Sequence, residues 1–567
     1  MKKLLYVLFI AGVLFPSHTF AATEDEQWPL PNESEYGHHS VLVQDNQALN
    51  NSYSILTTYE GSNNFICNSI KDPKCANSTR GDYRALLPVC ESEVDVDCIV
   101  SLEAINAKGE ISPGKFIQYT YNNAHPNRFE GDGIYTPLHA SDPSIWSLEG
   151  ASHSFGSEYG LVVSLSGTFQ MAEKKRTESS FSISLFPISR LTTEYTQNDV
   201  NGYANYPKCI ERYSSFGNRF VGCGGGAQEF GRYRCALKMI ESATCLLQHG
   251  FPEGFRFRVE VRLANEPTGM FHGRLSNPTI EISPKPVGTT ISVEASSMRV
   301  PILYSGDQFE NLPSEIQSYW NQCLSDGSCR GNSRQISNNW KDPKGRNVQD
   351  YALPFGERAL KLIDRFASSV KDTSVAAPGS WNIKMLEADQ MESAAQCFKT
   401  KRGFLGVVST NSTSYSEGPP LFQDGTLTYK LASLHFLPNG EVFRGRYDLI
   451  LRSDVARCLY GFSSAPISAS VSVITADGQN QVATTVVSEK NNWLHLSAAG
   501  FTFSSPRIEV RLTQDSVPLP KPAATPSTTF SPKGQGPKTI TCAKGKLKKK
   551  ITGENPKCPN GYKGVVK

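Results

Sequence analysis

Cysteine placement constrains this chain more than any other feature. Fourteen cysteines fall in local even groups: Cys67, Cys75, Cys90 and Cys98; Cys209, Cys223, Cys235 and Cys245; Cys323 and Cys329; Cys397 and Cys458; Cys542 and Cys558. An even, clustered set reads as a disulfide framework formed in an oxidising compartment. Structural zinc sites use C-x2–4-C pairs, and the tightest spacing here is the five residues between Cys323 and Cys329. Seven disulfides are therefore expected from the fourteen cysteines. Four cysteines allow three connectivities, so pairing inside each group of four stays open.

The start of the chain agrees with export. Lys2-Lys3, an apolar run from Leu4 to Phe15 and Thr19-Phe20-Ala21 have the order of a secretory leader, residues 1–21, cleaved after Ala21. The run is short of the roughly twenty residues needed to span a bilayer. No later stretch is longer, so the expectation is a secreted, cell-surface or cell-wall protein with no transmembrane helix in the mature chain.

Strands dominate the mature chain. With 45 Gly, 34 Pro, 22 Tyr and 29 Phe, the composition favours strands and turns over helices. Leu161–Leu165, Phe181–Leu185 and Phe255–Leu263 read as strands in an earlier block, and Glu441–Leu451, Ile467–Ile474, Val482–Val487, Trp493–Leu496 and Arg507–Leu512 in a later one. Asp477-Gly478 between two β-runs predicts a hairpin. The sequence echoes itself once: Arg258–Leu263 and Arg507–Leu512 agree at five of six positions. Between the blocks, Ser314–Trp320 and Phe355–Val370 have helical spacing. The expected fold is mainly β: two disulfide-stabilised antiparallel β-sandwich domains, a short helical segment between them, a Pro-rich stalk and a small basic hairpin tail. The corresponding ranges are 22–115 (a disulfide-containing β region that could join the next domain), 116–300 (sandwich), 301–380 (helical connector), 381–514 (sandwich), 515–537 (linker) and 538–567 (basic module). An immunoglobulin domain is disfavoured, since no Trp lies between Cys397 and Cys458 and Ala456 stands where the corner tyrosine would.

Charge separates the last segment from the rest. From Lys538 to Lys567 there are nine Lys and one Glu, +8; removing these and the leader's two lysines from the whole-chain +3 leaves −7. Six prolines between Ser516 and Pro537 favour an extended spacer. A basic module on such a spacer is suited to an anionic surface, and Cys542 with Cys558 can close it into a hairpin. The attachment candidates are Lys544, Lys546, Lys548, Lys549 and Lys550, with Lys544, Lys546 and Lys548 expected on one strand face. The expected partner is an anionic cell-wall polymer or membrane headgroups, not nucleic acid.

The tail resembles a short module, I-T-C-x-K-G-K-x-x-K-x-x-[TS]-x-x-x-P-x-C-P-x-G-Y-K, that ends many uncharacterised exported proteins of actinobacteria. It appears here as Ile540, Thr541, Cys542, Lys544, Gly545, Lys546, Lys549, Thr552, Pro556, Cys558, Pro559, Gly561, Tyr562 and Lys563. Arg452–Tyr460 through Phe501–Ser504, and Phe271-His272-Gly273-Arg274, also look like segments of those proteins. The resemblance implies a cell-surface setting and brings no known activity or catalytic residues.

Other motifs carry less chemistry. Glu91, Glu93, Asp95 and Asp97 alternate between Cys90 and Cys98; on a strand they would share a face, solvated or holding calcium, though calcium prefers a curved loop. Gly222–Gly226 lacks the Lys and Ser/Thr of a phosphate loop, and Gly461–Ala465 lacks the setting of a nucleophile elbow. No H-E-x-x-H occurs among the ten histidines; His272 and His495 sit among strand residues, as hydrogen-bonded structural histidines do. Tyr203, Tyr206, Tyr213, Phe216, Phe220, Phe230 and Tyr233 could pack around disulfides or offer faces for glycan or protein contacts. No cofactor and no catalytic residue is expected. The leading expectation is a non-catalytic binding or adhesion protein; the alternative is an exported polysaccharide-active hydrolase on a sandwich fold.

Overall fold

Strand Gly269–Arg274 marks the joint of the architecture: Phe271 belongs to one hydrophobic core and its neighbour Met270 to another. Successive side chains on a strand point to opposite faces, so the two cores lie on opposite faces of one sheet. The computed structural model describes residues 38–45, 53–75, 77–120, 128–190, 208–213, 219–224, 235–239, 244–326, 333–335, 348–463, 467–474, 480–481, 484–503, 507–514, 538–553 and 555–565. Residues 1–21, read from sequence as a leader, the Pro-rich segment and Cys329 fall outside them. So do the Asp477-Gly478 turn and most of the 203–233 aromatic cluster. The chain divides into two units, Met1–Asp515 and Ser516–Lys567.

In the first unit a 16-stranded sheet runs through both expected sandwich blocks. Its path begins with Asn63–Ile66, Ile55–Glu60 and Arg80–Leu86, continues through the long pair Glu158–Gln170 and Lys175–Arg190, and reaches Gly379–Met385 and Gly269–Arg274. It then crosses Phe404–Thr410, Gly445–Arg452 and Trp493–Phe501 to Thr484–Lys490. The central junction, Gly269–Arg274 on Phe404–Thr410, is parallel. One long sheet thus runs through both blocks that the sequence reading divides into two sandwiches. Leu161, Val163, Phe181 and Ile183 of that sheet pack with Phe257, Val259, Val261 and Ile291 of a five-stranded sheet. On the other face, Leu449, Leu451, Leu494 and Leu496 pack with Tyr429, Ile508, Val510 and Leu512 of a six-stranded sheet.

The echoed hexapeptides occupy matching places. Arg256–Leu263 is flanked by Thr289–Ser296 and Cys98–Ile105, and Arg507–Gln514 by Thr426–Ala432 and Ile467–Ile474. In each, the aliphatic residues face the core and the charged ones face out. Arg258 holds Glu103 and Glu294 at 2.8 and 2.6 Å; Arg507 holds Glu509 at 2.7 Å.

The segment read as a helical connector does contain helices, Ser314–Asp326 and Glu357–Phe366, but it also builds a sheet. His38–Val43 pairs antiparallel with Leu303–Gln308 and parallel with Val348–Ala352. Val41, Val43, Trp320, Ile363 and Phe366 share its core. The expected hairpin after Ile467–Ile474 is shorter than its sequence suggests. Among the described residues only Asn480–Gln481 returns against it, and Thr484–Lys490 pairs instead with Trp493–Phe501 on the long sheet. Crossing between sheets lets Val487 pack on the second core, which a longer hairpin would forgo.

Four disulfides are placed: Cys67–Cys75, Cys90–Cys98, Cys397–Cys458 and Cys542–Cys558. The first group of four therefore pairs neighbour with neighbour. Cys323 is also disulfide-bonded, and among the described residues no cysteine is free. Cys209 and Cys223 lie opposite one another in the ladder Lys208–Tyr213 with Arg219–Gly224. Among the described residues no helix is long and apolar enough to cross a membrane.

Candidate functional site

The C-terminal module is a three-stranded antiparallel sheet. Lys538–Lys544 is central, Leu547–Gly553 lies on one side and Lys563–Gly564 on the other. Cys542 is buried and bonded to Cys558, which gives so small a unit a fixed core. Lys544 and Lys548, expected with Lys546 on one strand face, lie on opposite faces. Lys548 stands opposite Ala543 and Lys550 opposite Thr541, whereas Lys549 stands opposite Cys542. Directly opposed residues project to the same side of an antiparallel pair. Lys544, two residues from Cys542, thus lies with Lys549 on the disulfide face. Alternation along a straight strand predicted otherwise; the turn at Gly545 and Lys546 resets the phase. Lys563, opposite Ala543 on the third strand, joins the face of Lys548 and Lys550. All of these lysines are exposed.

The four acidic candidates are not a one-faced strand. Residues 91–97 form a turn-rich loop. Asp95 closes it, accepting from the Glu91 and Ser92 amides at 2.8 and 2.7 Å and from the Ser92 hydroxyl. These bonds hold its carboxyl below the usual range. Asp97 turns inward, where it pairs with buried Arg176 at 2.5 Å and accepts from the Ala264 amide. Glu91 and Glu93 stay exposed. The carbonyls of Ser92, Glu93 and Asp95 all receive the Arg262 guanidinium, so a cation already fills the curve of the loop. Among the described residues no group of three or more His, Cys, Asp or Glu is placed to hold a metal ion.

A cleft of about 710 Å³ opens on the outer face of the six-stranded sheet. Its floor is the outward row Thr426, Thr428 and Lys430 beside Arg507, Glu509 and Arg511, with Thr428 opposite Glu509 and Lys430 opposite Arg507. Helix Glu357–Phe366 and the 416–419 turn form a wall. Glu357 bonds Lys430 at 3.2 Å, and Arg511 donates to Thr426 at 3.2 Å. Glu417 stands over Gly356, whose φ of +90° and lack of a Cβ admit the carboxyl; a Cβ there would meet it at 3.2 Å. Partial burial, with Asp389 nearby, raises the Glu417 carboxyl. Among the described residues no aromatic side chain lines the cleft. Its chemistry is multiple hydrogen bonding of both signs, which fits a polyhydroxylated or mixed-charge ligand. The sequence marks Arg507–Leu512 as a strand and as an echo of Arg258–Leu263, and its strictly alternating polar residues are the local sign of the cleft floor.

Of the histidines singled out, His272 is buried and His495 half-buried. His272 lies flat on Tyr415 and is kept neutral by burial and by Arg274. Burial also holds His495 down. At another edge His249 receives or donates a 2.7 Å bond with Ser189 and stacks on Phe155, with burial and His153 lowering it to about 4. So weak a base does little to activate the hydroxyl. No family model, curated protein or solved structure matches the chain.

Proposed function

We propose that this is an exported, surface-held binding or adhesion protein, in which the basic C-terminal module attaches the chain to an anionic cell-wall polymer and the β-rich unit presents a ligand cleft. The observation that carries the reading is the disulfide-held sheet that fixes three lysines on one exposed face. A tail serving only solubility has no use for that scaffold. Charge supports it, +8 in the module against −7 in residues 22–537, and so do the leader-like start, the Pro-rich spacer and the resemblance to actinobacterial surface proteins. The two facing-sheet halves take the part of the two sandwiches. The cleft, walled by Glu417 and floored by Thr428, Lys430 and Arg511, is the ligand site of this reading. Its mix of donors and acceptors suits a glycan or polar peptide.

One observation favours the alternative, a polysaccharide hydrolase: a carboxyl raised by burial, as Glu417 is, is the kind that donates a proton to a leaving group. A glycan panel and wall fractions, with bound material and released sugar measured together, separate the two. Retention without release, abolished by Arg511→Ala, is the expected result. Release of reducing sugar that Glu417→Gln abolishes would replace binding with hydrolysis.

A further inference from the structure

We infer that the face bearing Lys548, Lys550 and Lys563 around Thr541 and Ala543 grips a phosphodiester-linked polyol polymer. This rests on the reading that the module attaches the chain to an anionic surface, and it names the face and the chemistry. Lys548 and Lys563 flank Ala543 from the two outer strands, and Lys550 flanks Thr541 one step along. With strands about 4.8 Å apart and about 3.4 Å per residue, the Cα atoms of Lys548 and Lys563 lie about 10 Å apart and those of Lys548 and Lys550 about 7 Å. A glycerol phosphate repeat separates its phosphorus atoms by six bonds, about 7 Å when extended, taking about 3.6 Å for three bonds. The small side chains of the central strand leave room for such a chain to lie between the lysines.

The residue types suit phosphate, and the repeat spacing singles out the phosphodiester. Residues 538–567 contain nine Lys and no Arg, and an ammonium binds phosphate as a point charge. Among the described residues the three strands that build this face, KTITCAK, LKKKITG and KG, carry no aromatic to stack bases, as single-stranded nucleic acid would require. The exposed Leu547, opposite Lys544, is on the other face, so a membrane could not take up the lysine face and the aliphatic side chain together.

The test uses the full chain and two charge-matched variants, Lys548→Gln/Lys550→Gln/Lys563→Gln and Lys544→Gln/Lys546→Gln/Lys549→Gln, with synthetic poly(glycerol phosphate) as the probe. All six side chains are exposed, and disulfide mapping of Cys542–Cys558 checks that each variant is folded. The first variant should lose about tenfold or more in affinity, from three exposed ion pairs removed together, while the second stays within about twofold. Equal weakening of both overturns the face while leaving charge-driven attachment standing. Tighter binding of the parent to a DNA oligonucleotide or to phosphatidylglycerol vesicles overturns the choice of polymer. A parent that binds none of the three anions overturns both the face and the attachment reading.

Discussion

His272 and Tyr415 lie face to face, ring centroids 3.7 Å apart and planes 5° from parallel. Beside them the buried Arg274 guanidinium sits 4.8 Å over the same tyrosine. It donates to the Thr410 and Ser412 carbonyls and pairs with Asp45 at 2.6 Å. The arrangement ties the parallel junction of the long sheet to the 410–415 turn. It also fixes the protonation of His272. Burial, with the Arg274 cation alongside, keeps the imidazole neutral well below its ordinary 6.5.

Acid should therefore weaken the first unit. A histidine depressed in the fold contributes stability above the unfolded value of 6.5, and loses it as pH falls, because only the unfolded chain takes the proton. Thermal unfolding midpoints between pH 7 and 5 should fall more steeply for the parent than for His272→Phe. His153, His249 and His495 are depressed as well, so the variant flattens the slope without abolishing it. An unchanged slope would mean that His272 titrates normally.

Asp142 should act in the opposite sense. Its carboxyl is 1 % exposed, neither oxygen has a hydrogen-bond partner among the described residues, and burial raises it to about 6, Arg128 opposing. The folded state holds the proton longer than the unfolded chain, so this stability is present below 3.8 and lost as pH rises through about 6. Asp142→Asn should stabilise the protein near neutral pH, by on the order of 2–3 kcal/mol, with little effect at pH 4. Denaturant titrations at both pH values check this, and a destabilised variant at pH 7 would refute it.

Cys397–Cys458 ties helix Gln396–Thr400 to helix Ser453–Tyr460 across 61 residues. A loop of that length is worth about 4 kcal/mol on the chain-entropy model. Cys397→Ser/Cys458→Ser should lower the denaturation midpoint of the first unit and leave the Cys542–Cys558 module intact by disulfide mapping. A midpoint equal to the parent's would show that the helices hold without the bond.

Much of this was legible in the sequence for definite reasons. Alternation in Arg256–Leu263 and Arg507–Gln514 marks a buried face, and cysteine grouping anticipated Cys397–Cys458 and Cys542–Cys558. Alternation does not say which sheet covers a face. The joining of two blocks through Gly269–Arg274 and Phe404–Thr410, more than a hundred residues apart, left no local sign. The same limit explains the lysines: spacing along one strand could not show that Lys563 would arrive beside Lys548, or that Gly545 and Lys546 would turn Lys544 away. Asp142, amid ordinary loop residues, carried no signal, because its isolation is a property of what surrounds it.

The central claim is attachment through the module, and the most direct measurement is retention on isolated envelopes of the producing cell. The full chain and a form ending at Pro537 are incubated with envelopes and eluted with rising salt. Exposed charges are screened over about 8 Å at physiological ionic strength, so the full chain should be held at low salt and released as salt rises. The shortened form should stay in solution throughout, with the first unit's unfolding midpoint unchanged. A shortened form held as firmly as the full chain, even at high salt, would contradict the account.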